Sequence, residues 1–219
     1  MNHIKENLEA IIGTIPEGVL LVAVTKTRSI EEINEVIQLG VTDIGENKVQ
    51  EILEKHERVL PVRWHLIGHL QTNKVKQIID KVYMIHSVDS LHLATEINKR
   101  ADQAGIMMRI LIQVNAAEEE SKFGIPSGDT EALIQDILAQ CPQLIIKGLM
   151  FIAPFDDPQN VRGYFKDVKR QFDQLKKIKH PRLDFQVLSM GMSNDYEVAI
   201  EEGANLVRVG SAIFGTRNY

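Results

Sequence analysis

Short apolar runs of strand length alternate with longer amphipathic runs along the whole chain, and this alternation restricts the fold more than any other feature. The apolar runs, most of them rich in Val, Ile and Leu, are Val19–Thr25, Thr42–Gly45, Arg63–Ile67, Tyr83–Ser87, Met108–Val114, Leu144–Met150, Asp184–Leu188 and Leu206–Val209. Such runs suit strands buried on both faces, as in parallel sheets covered by helices. Between them, helical periodicity predicts Ser29–Leu39, Asn47–His56, Thr72–Ile79, Leu91–Ala104, Asp129–Gln140, Val161–Lys176 and Asp195–Glu202. Ser29 and Ser90 stand where N-caps belong, and Gly40, Gly105 and Gly203 follow helical runs as left-handed C-caps do. The residues before Gly18 predict one further helix, expected to close the bottom of a barrel.

Eight strands alternating with helical runs in 219 residues read as a single α/β domain, 1–219, built as a (β/α)8 TIM-type barrel with an extra N-terminal helix. The rival is an open doubly wound sheet, which usually carries a Gly-rich turn after its first strand. Here that strand ends in Thr25-Lys26-Thr27. A net charge of −5 weighs against nucleic acid and against an anionic membrane surface. No apolar run is long enough to span a bilayer. The opening Met1-Asn2-His3-Ile4-Lys5-Glu6 lacks the order of a secretory signal, and a lone Cys141 permits no intramolecular disulfide. A monomer in a reducing cytoplasm is the expectation.

Barrel active sites lie at the C-terminal ends of the strands, so polar residues at those ends are the candidates. Lys26 leaves the very apolar run Leu20–Val24. A strand-end lysine commonly snorkels to water. Its functional reading places the amine inside the rim, where burial favours the neutral form that attacks aldehydes. Ser189-Met190-Gly191-Met192-Ser193 runs into a helix that Ser193 or Asn194 is expected to cap, with Glu197 as partner. After the eighth strand, Gly210-Ser211-Ala212-Ile213-Phe214-Gly215 is a second small-residue loop. Barrels commonly bind phosphate in these two loops. Arg208 shares the parity of Gly210 and points either into the pocket or into an ion pair with Glu46 or Asp89. An aldehyde-trapping lysine, a phosphate cradle and an arginine on one rim suggest pyridoxal 5′-phosphate.

The sequence resembles the YggS/PROSC group, the pyridoxal phosphate homeostasis proteins. The resemblance rests on Ala23–Thr27, Gly45–Glu51, Trp64–Lys74, Ser189–Ser193 and Val207–Gly215, in order along nearly the whole chain. It implies a barrel like the N-terminal domain of alanine racemase, with Lys26 as the lysine that forms the imine. It further implies phosphate contacts from Ser193, Gly210 and Ser211, and Arg208 near the ring nitrogen. Asn47 is a candidate for the pocket wall. The implied role is handling of the cofactor, with effects on amino and keto acid pools and apo-enzymes as recipients.

An amino-acid racemase is the alternative. Two-base racemisation needs an acid/base group on each face of the substrate carbon. In alanine racemase the second base comes from an additional domain, for which a sequence ending at Tyr219 leaves no room. A carrier is therefore favoured, with no catalytic residue and no metal ligand assigned. A cofactor-free lysine aldolase would need a catalytic base and no ring-facing arginine. His65 and His69 are four apart, but Ile67-Gly68 reads as a strand end, so the pair is not read as a metal site. Trp64 fits the core, and Glu118–Glu120 a solvated loop.

Overall fold

The computed structural model describes residues 3–119 and 122–215. The outermost residues of the expected domain, up to Tyr219, and Glu120 of the acidic loop lie outside the described residues.

Eight parallel strands close on themselves: β1 (Leu20–Val24), β2 (Asp43–Glu46), β3 (Arg63–Leu66), β4 (Met84–Val88), β5 (Met108–Val114), β6 (Leu144–Phe151), β7 (Leu183–Met192) and β8 (Leu206–Val209). The ring is sealed by β1 pairing with β8, where Val22 lies opposite Arg208 and Ala23 opposite Val209. Alternation along each strand divides its side chains. Ala23, Ile44, Ile110 and Val207 join the large apolar layer beneath the helices. Met84, Leu111 and Met150 form a separate cluster with Val187 against it, as expected of a side-chain-filled barrel interior.

Local signals set the helix starts. In α2 (Ile30–Gln38) Ser29 and Glu32 form a reciprocal capping box. Ser90 accepts from the Leu93 N–H at the start of α5 (Leu91–Ala104), which ends on left-handed Gly105. The remaining outer helices are α3 (Val49–Lys55), α4 (Val75–Ile78), α6 (Thr130–Gln140), α7 (Pro158–Leu175) and α8 (Tyr196–Glu201). Thr72–Lys74 forms a 3-10 turn ahead of α4, where a single helix was expected. Among the described residues no helix is long and apolar enough to cross a membrane.

Strand β7 runs four residues beyond its expected end at Leu188. Gly191, at φ 94°, makes that extension possible. A Cβ there would lie 2.7 Å from that of Ala199, so the glycine lets α8 close onto the strand end. The N-terminal helix α1 (Ile4–Thr14) does not close the bottom of the barrel. Among the described residues, β8 is followed by the four-residue α9 (Ser211–Phe214), too short to cover the strand from outside. Helix α1 completes the outer ring there, lying against α2 and α9. Asn7 donates to the Ile213 carbonyl at 3.0 Å, and Thr14 Oγ1 lies 2.7 Å from the Tyr196 hydroxyl in α8.

If α1 is part of the barrel wall, truncating its buried Leu8 (1% exposed) to Ala will lower unfolding free energy by about 3 kcal/mol in urea titrations. The same change at Ile12, 47% exposed on the same helix, will cost less than about 0.5 kcal/mol. Equal effects at both positions would contradict this placement.

Candidate functional site

The C-terminal mouth of the barrel holds a cavity of about 240 Å³. Its wall brings together Lys26, Asn47, Ser193, Arg208, Gly210 and Ser211. Lys26 is half-buried and sits in the turn that ends β1. The next residue, Thr27, has φ 66°, an unfavourable backbone for a β-branched side chain. Such strain persists only where surrounding contacts impose it.

Those contacts come from a buried ionic cluster. Lys55, at the end of α3 and 7% exposed, donates to the Thr25 carbonyl at 3.0 Å, to Glu46 Oε1 at 2.8 Å and to Glu51 Oε2 at 2.7 Å. Glu51 Oε2 also accepts from the Thr27 N–H at 2.6 Å, and Thr25 Oγ1 donates to Glu46 Oε1 at 2.7 Å. The Lys26 turn is therefore gripped on both sides by one lysine and two carboxylates. Burial pushes the Glu46 carboxyl up, against the pull of Lys55 and Thr25. Glu51 shares that burial penalty, but hydrogen bonds from Lys55 and the Thr27 N–H outweigh it and hold Glu51 low. None of this was anticipated for Lys55. Its spacing from Glu51 reads in sequence as an ordinary exposed i,i+4 pair.

Opposite Lys26, the loops after β7 and β8 meet. Ser193 Oγ accepts from the N–H groups of Gly210, at 3.1 Å, and Ala212, at 3.3 Å. Two backbone donors thus converge on one oxygen at the cavity wall. A Cβ on Gly210 would lie 3.1 Å from the Val24 carbonyl oxygen, so a side chain there would crowd β1. Neither Ser193 nor Asn194 caps α8, contrary to expectation. The longer β7 shifts the N-cap to Asp195, whose Oδ1 instead accepts from the Met192 N–H at 2.6 Å. Asn194 donates to the Asp156 carbonyl at 3.1 Å, and no Glu197 capping box forms.

Arg208 is 3% exposed at the cavity floor. It pairs with neither Glu46 nor Asp89, the partners considered from sequence. Its Nη1 donates to Ser189 Oγ at 2.5 Å and its Nη2 to the Phe151 carbonyl at 2.8 Å. Burial lowers its pKa to about 10, with Asp195 acting in the opposite direction. Two histidines considered together in sequence are separated. His65 is fully buried, while His69 stacks on Phe123 with ring centroids 3.8 Å apart. Trp64, 3% exposed, lies in the core against the His56 ring.

The family described as alanine racemase, N-terminal domain, matches residues 1–218. The pyridoxal phosphate homeostasis protein of Aquifex aeolicus is 44% identical over 202 residues, 91% of this chain and 87% of that protein. Its human namesake is 37% identical over 211 residues, 91% of this chain and 77% of that one. The structure of PipY from Synechococcus elongatus with PLP bound superposes with a TM-score of 0.88 at 33% identity, covering 97% of this chain and all (100%) of that one. Alanine racemase of Clostridium difficile shares the fold, with a TM-score of 0.80 at 15% identity; 99% of this chain matches 60% of that one. With its eight-stranded barrel, its Lys26 turn and relatives similar over most of their length, the chain belongs to the family of pyridoxal phosphate homeostasis proteins, built on the alanine racemase N-terminal domain.

Proposed function

We propose that the cavity at the barrel mouth binds pyridoxal 5′-phosphate and that the protein serves cofactor homeostasis by holding and handing on this molecule. One observation carries the reading. A lysine on a strained, buried-anchored turn shares a cavity of about 240 Å³ with two backbone N–H groups that converge on a single oxygen. An amine is what an aldehyde needs, and N–H groups at a side-chain-free approach are what a phosphate oxygen needs. The same pairing of cofactor and fold in PipY supports it.

In this reading Ser193, Gly210 and Ser211 hold the phosphate, and Lys26 is the covalent attachment point. Its amine would join the aldehyde with loss of water, a reversible link suited to later transfer. Asn47 lines the wall on the β2 side. Arg208 would face the ring nitrogen, where a permanent donor would discourage protonation. Bound there, the cofactor supplies an electrophilic carbon and a conjugated ring able to spread negative charge. The carrier role is favoured over catalysis because the described residues around the cavity give Lys26 no second acid/base opposite it. Arg208 on the same wall is bonded through Nη1 and Nη2 to Ser189 and Phe151, and a guanidinium only donates. Apo-enzymes that use the cofactor are the proposed recipients.

Reconstituted protein is expected to show an absorption band at about 420 nm, characteristic of the lysine-linked cofactor. Lys26→Ala will remove that band while retaining weaker, noncovalent binding through the phosphate loops. Ser193→Ala will weaken binding about tenfold, as loss of an interaction with a charged group does. Loaded protein mixed with a cofactor-dependent apo-enzyme is expected to restore that enzyme's activity. The same protein incubated with single-enantiomer amino acids is expected to give no turnover. Sustained racemisation would replace the carrier reading by an enzymatic one.

The grip on the Lys26 turn has a pH signature. A carboxyl held below its ordinary 4.5, as Glu51 is, contributes stability that is complete above that pH and lost as pH falls through its lower folded value. Glu51→Gln will therefore lower the urea midpoint at neutral pH, by about 1–2 kcal/mol in free energy. The gap to wild type will hold down to about pH 5 and close in stronger acid. A gap that widens on acidification would contradict the arrangement.

A further inference from the structure

Beneath the cavity an unbroken series of hydrogen bonds crosses the barrel interior. From Arg208 Nη1 it passes to Ser189 Oγ at 2.5 Å, and from Ser189 to His86 Nδ1 at 3.2 Å. From His86 Nε2 it reaches His65 Nδ1 at 2.9 Å, and from His65 Nε2 it reaches Asp43 Oδ1 at 2.8 Å. The five residues come from β8, β7, β4, β3 and β2, and all are buried. Only the last link meets solvent. Arg63, whose side chain is 47% exposed at the start of β3, donates to Asp43 Oδ2 at 2.6 Å, and Thr42 Oγ1 donates to the same oxygen at 2.7 Å.

The donors and acceptors fix a direction. Asp43 has its countercharge from Arg63, so it accepts from His65 Nε2–H without requiring an imidazolium. A neutral His65 then presents Nδ1 as an acceptor, and His86 must donate to it through Nε2–H. His86 is left accepting at Nδ1, which draws the Ser189 hydroxyl hydrogen toward it. The Ser189 lone pairs then face Arg208, whose guanidinium only donates. With Nη2 held by the Phe151 carbonyl, the guanidinium cannot swing without breaking a buried bond at each end. An extra proton on His65 would reverse every link as far as Ser189 and turn its hydroxyl hydrogen away from the chain.

We propose that Asp43, His65, His86 and Ser189 are positioning residues: a neutral hydrogen-bond chain of one polarity that fixes Arg208 at the cavity floor and couples the cavity to the Asp43–Arg63 pair at the opposite mouth. Burial, before all else, pulls the His86 pKa well below its ordinary value, in keeping with a neutral ring. The other charged group acting on Arg208 is Asp195, on the cavity side. The ligand arm of the test rests on the cofactor reading above; the histidine arm does not.

Nitrogen-15 spectra of histidine-labelled wild-type protein, without cofactor and near neutral pH, distinguish protonated from bare ring nitrogens. Both His65 and His86 are expected as Nε2–H tautomers. A doubly protonated His65, or an Nδ1–H on His86, would overturn the proposal. In the second arm, binding of pyridoxal 5′-phosphate and the pH profile of its absorption band are followed in three variants. Ser189→Ala is expected to weaken binding about tenfold and shift the profile, and Ser189→Thr to restore both. Asp43→Asn, at the far end, is expected to weaken binding ~3-fold and shift the profile in the same direction. Unchanged affinity and profile in Ser189→Ala and Asp43→Asn, with wild type binding normally, would also overturn it. Wild-type protein that fails to bind the cofactor would remove the functional reading and leave the ring tautomers to decide this one.

Discussion

The pairing of β1 with β8 is the contact on which everything else in the molecule depends. It joins the two ends of the described chain, sets Val22 opposite Arg208, and so carries Lys26 to the same mouth as the loops built from the last quarter of the sequence. Without closure, a lysine at the end of one strand and a serine–glycine turn in the last quarter of the sequence would share nothing. Closure is completed on the outside by an element from the other end of the chain. The short α9 cannot cover β8, and α1 lies beside it, so both termini of the described chain meet on one side of the wall.

Two buried polar systems then convert a generic barrel into a specific cavity. Lys55, Glu46 and Glu51 hold the Lys26 turn in a backbone conformation it would not adopt alone. Arg208 and its hydrogen-bonded neighbours occupy interior volume that Val or Leu would fill more cheaply. Burying ions and imidazoles carries a desolvation cost that hydrogen bonding only offsets. Such groups specify geometry more than they add stability, and both systems terminate on the cavity. Apolar residues elsewhere in the interior, Met84, Leu111 and Met150, carry no such cost and reach no ligand wall.

Much of this was legible in the sequence, for identifiable reasons. Strand–helix alternation is a periodic signal, and parity along β8 puts Arg208 and Gly210 on one face. The strand-end rule selected Lys26 and the two small-residue loops. What escaped depends on distance across the barrel. Lys55 looks like a solvated partner of Glu51, because nothing local reveals that β1 passes over it. His86 sits in the apolar run Met84-Ile85-His86-Ser87-Val88, where a single polar residue of interior parity was the available clue. The capping role assigned to Ser193 or Asn194 failed because β7 continues through Gly191, moving the helix start to Tyr196 and freeing Ser193 to bind two N–H groups of the neighbouring loop. The place of α1 was not legible, because an amphipathic pattern does not say which part of the barrel it covers.

The central claim is that the side-chain nitrogen of Lys26 and the N–H groups of the β8 loop serve the same bound molecule. Borohydride reduction of the cofactor-loaded protein, followed by proteolysis and mass spectrometry, tests this directly. The account predicts one modified peptide, carrying the reduced cofactor on Lys26, and loss of that modification when excess inorganic phosphate competes during loading. Modification spread over exposed lysines, or an unmodified Lys26 in protein that retains the cofactor, would contradict it.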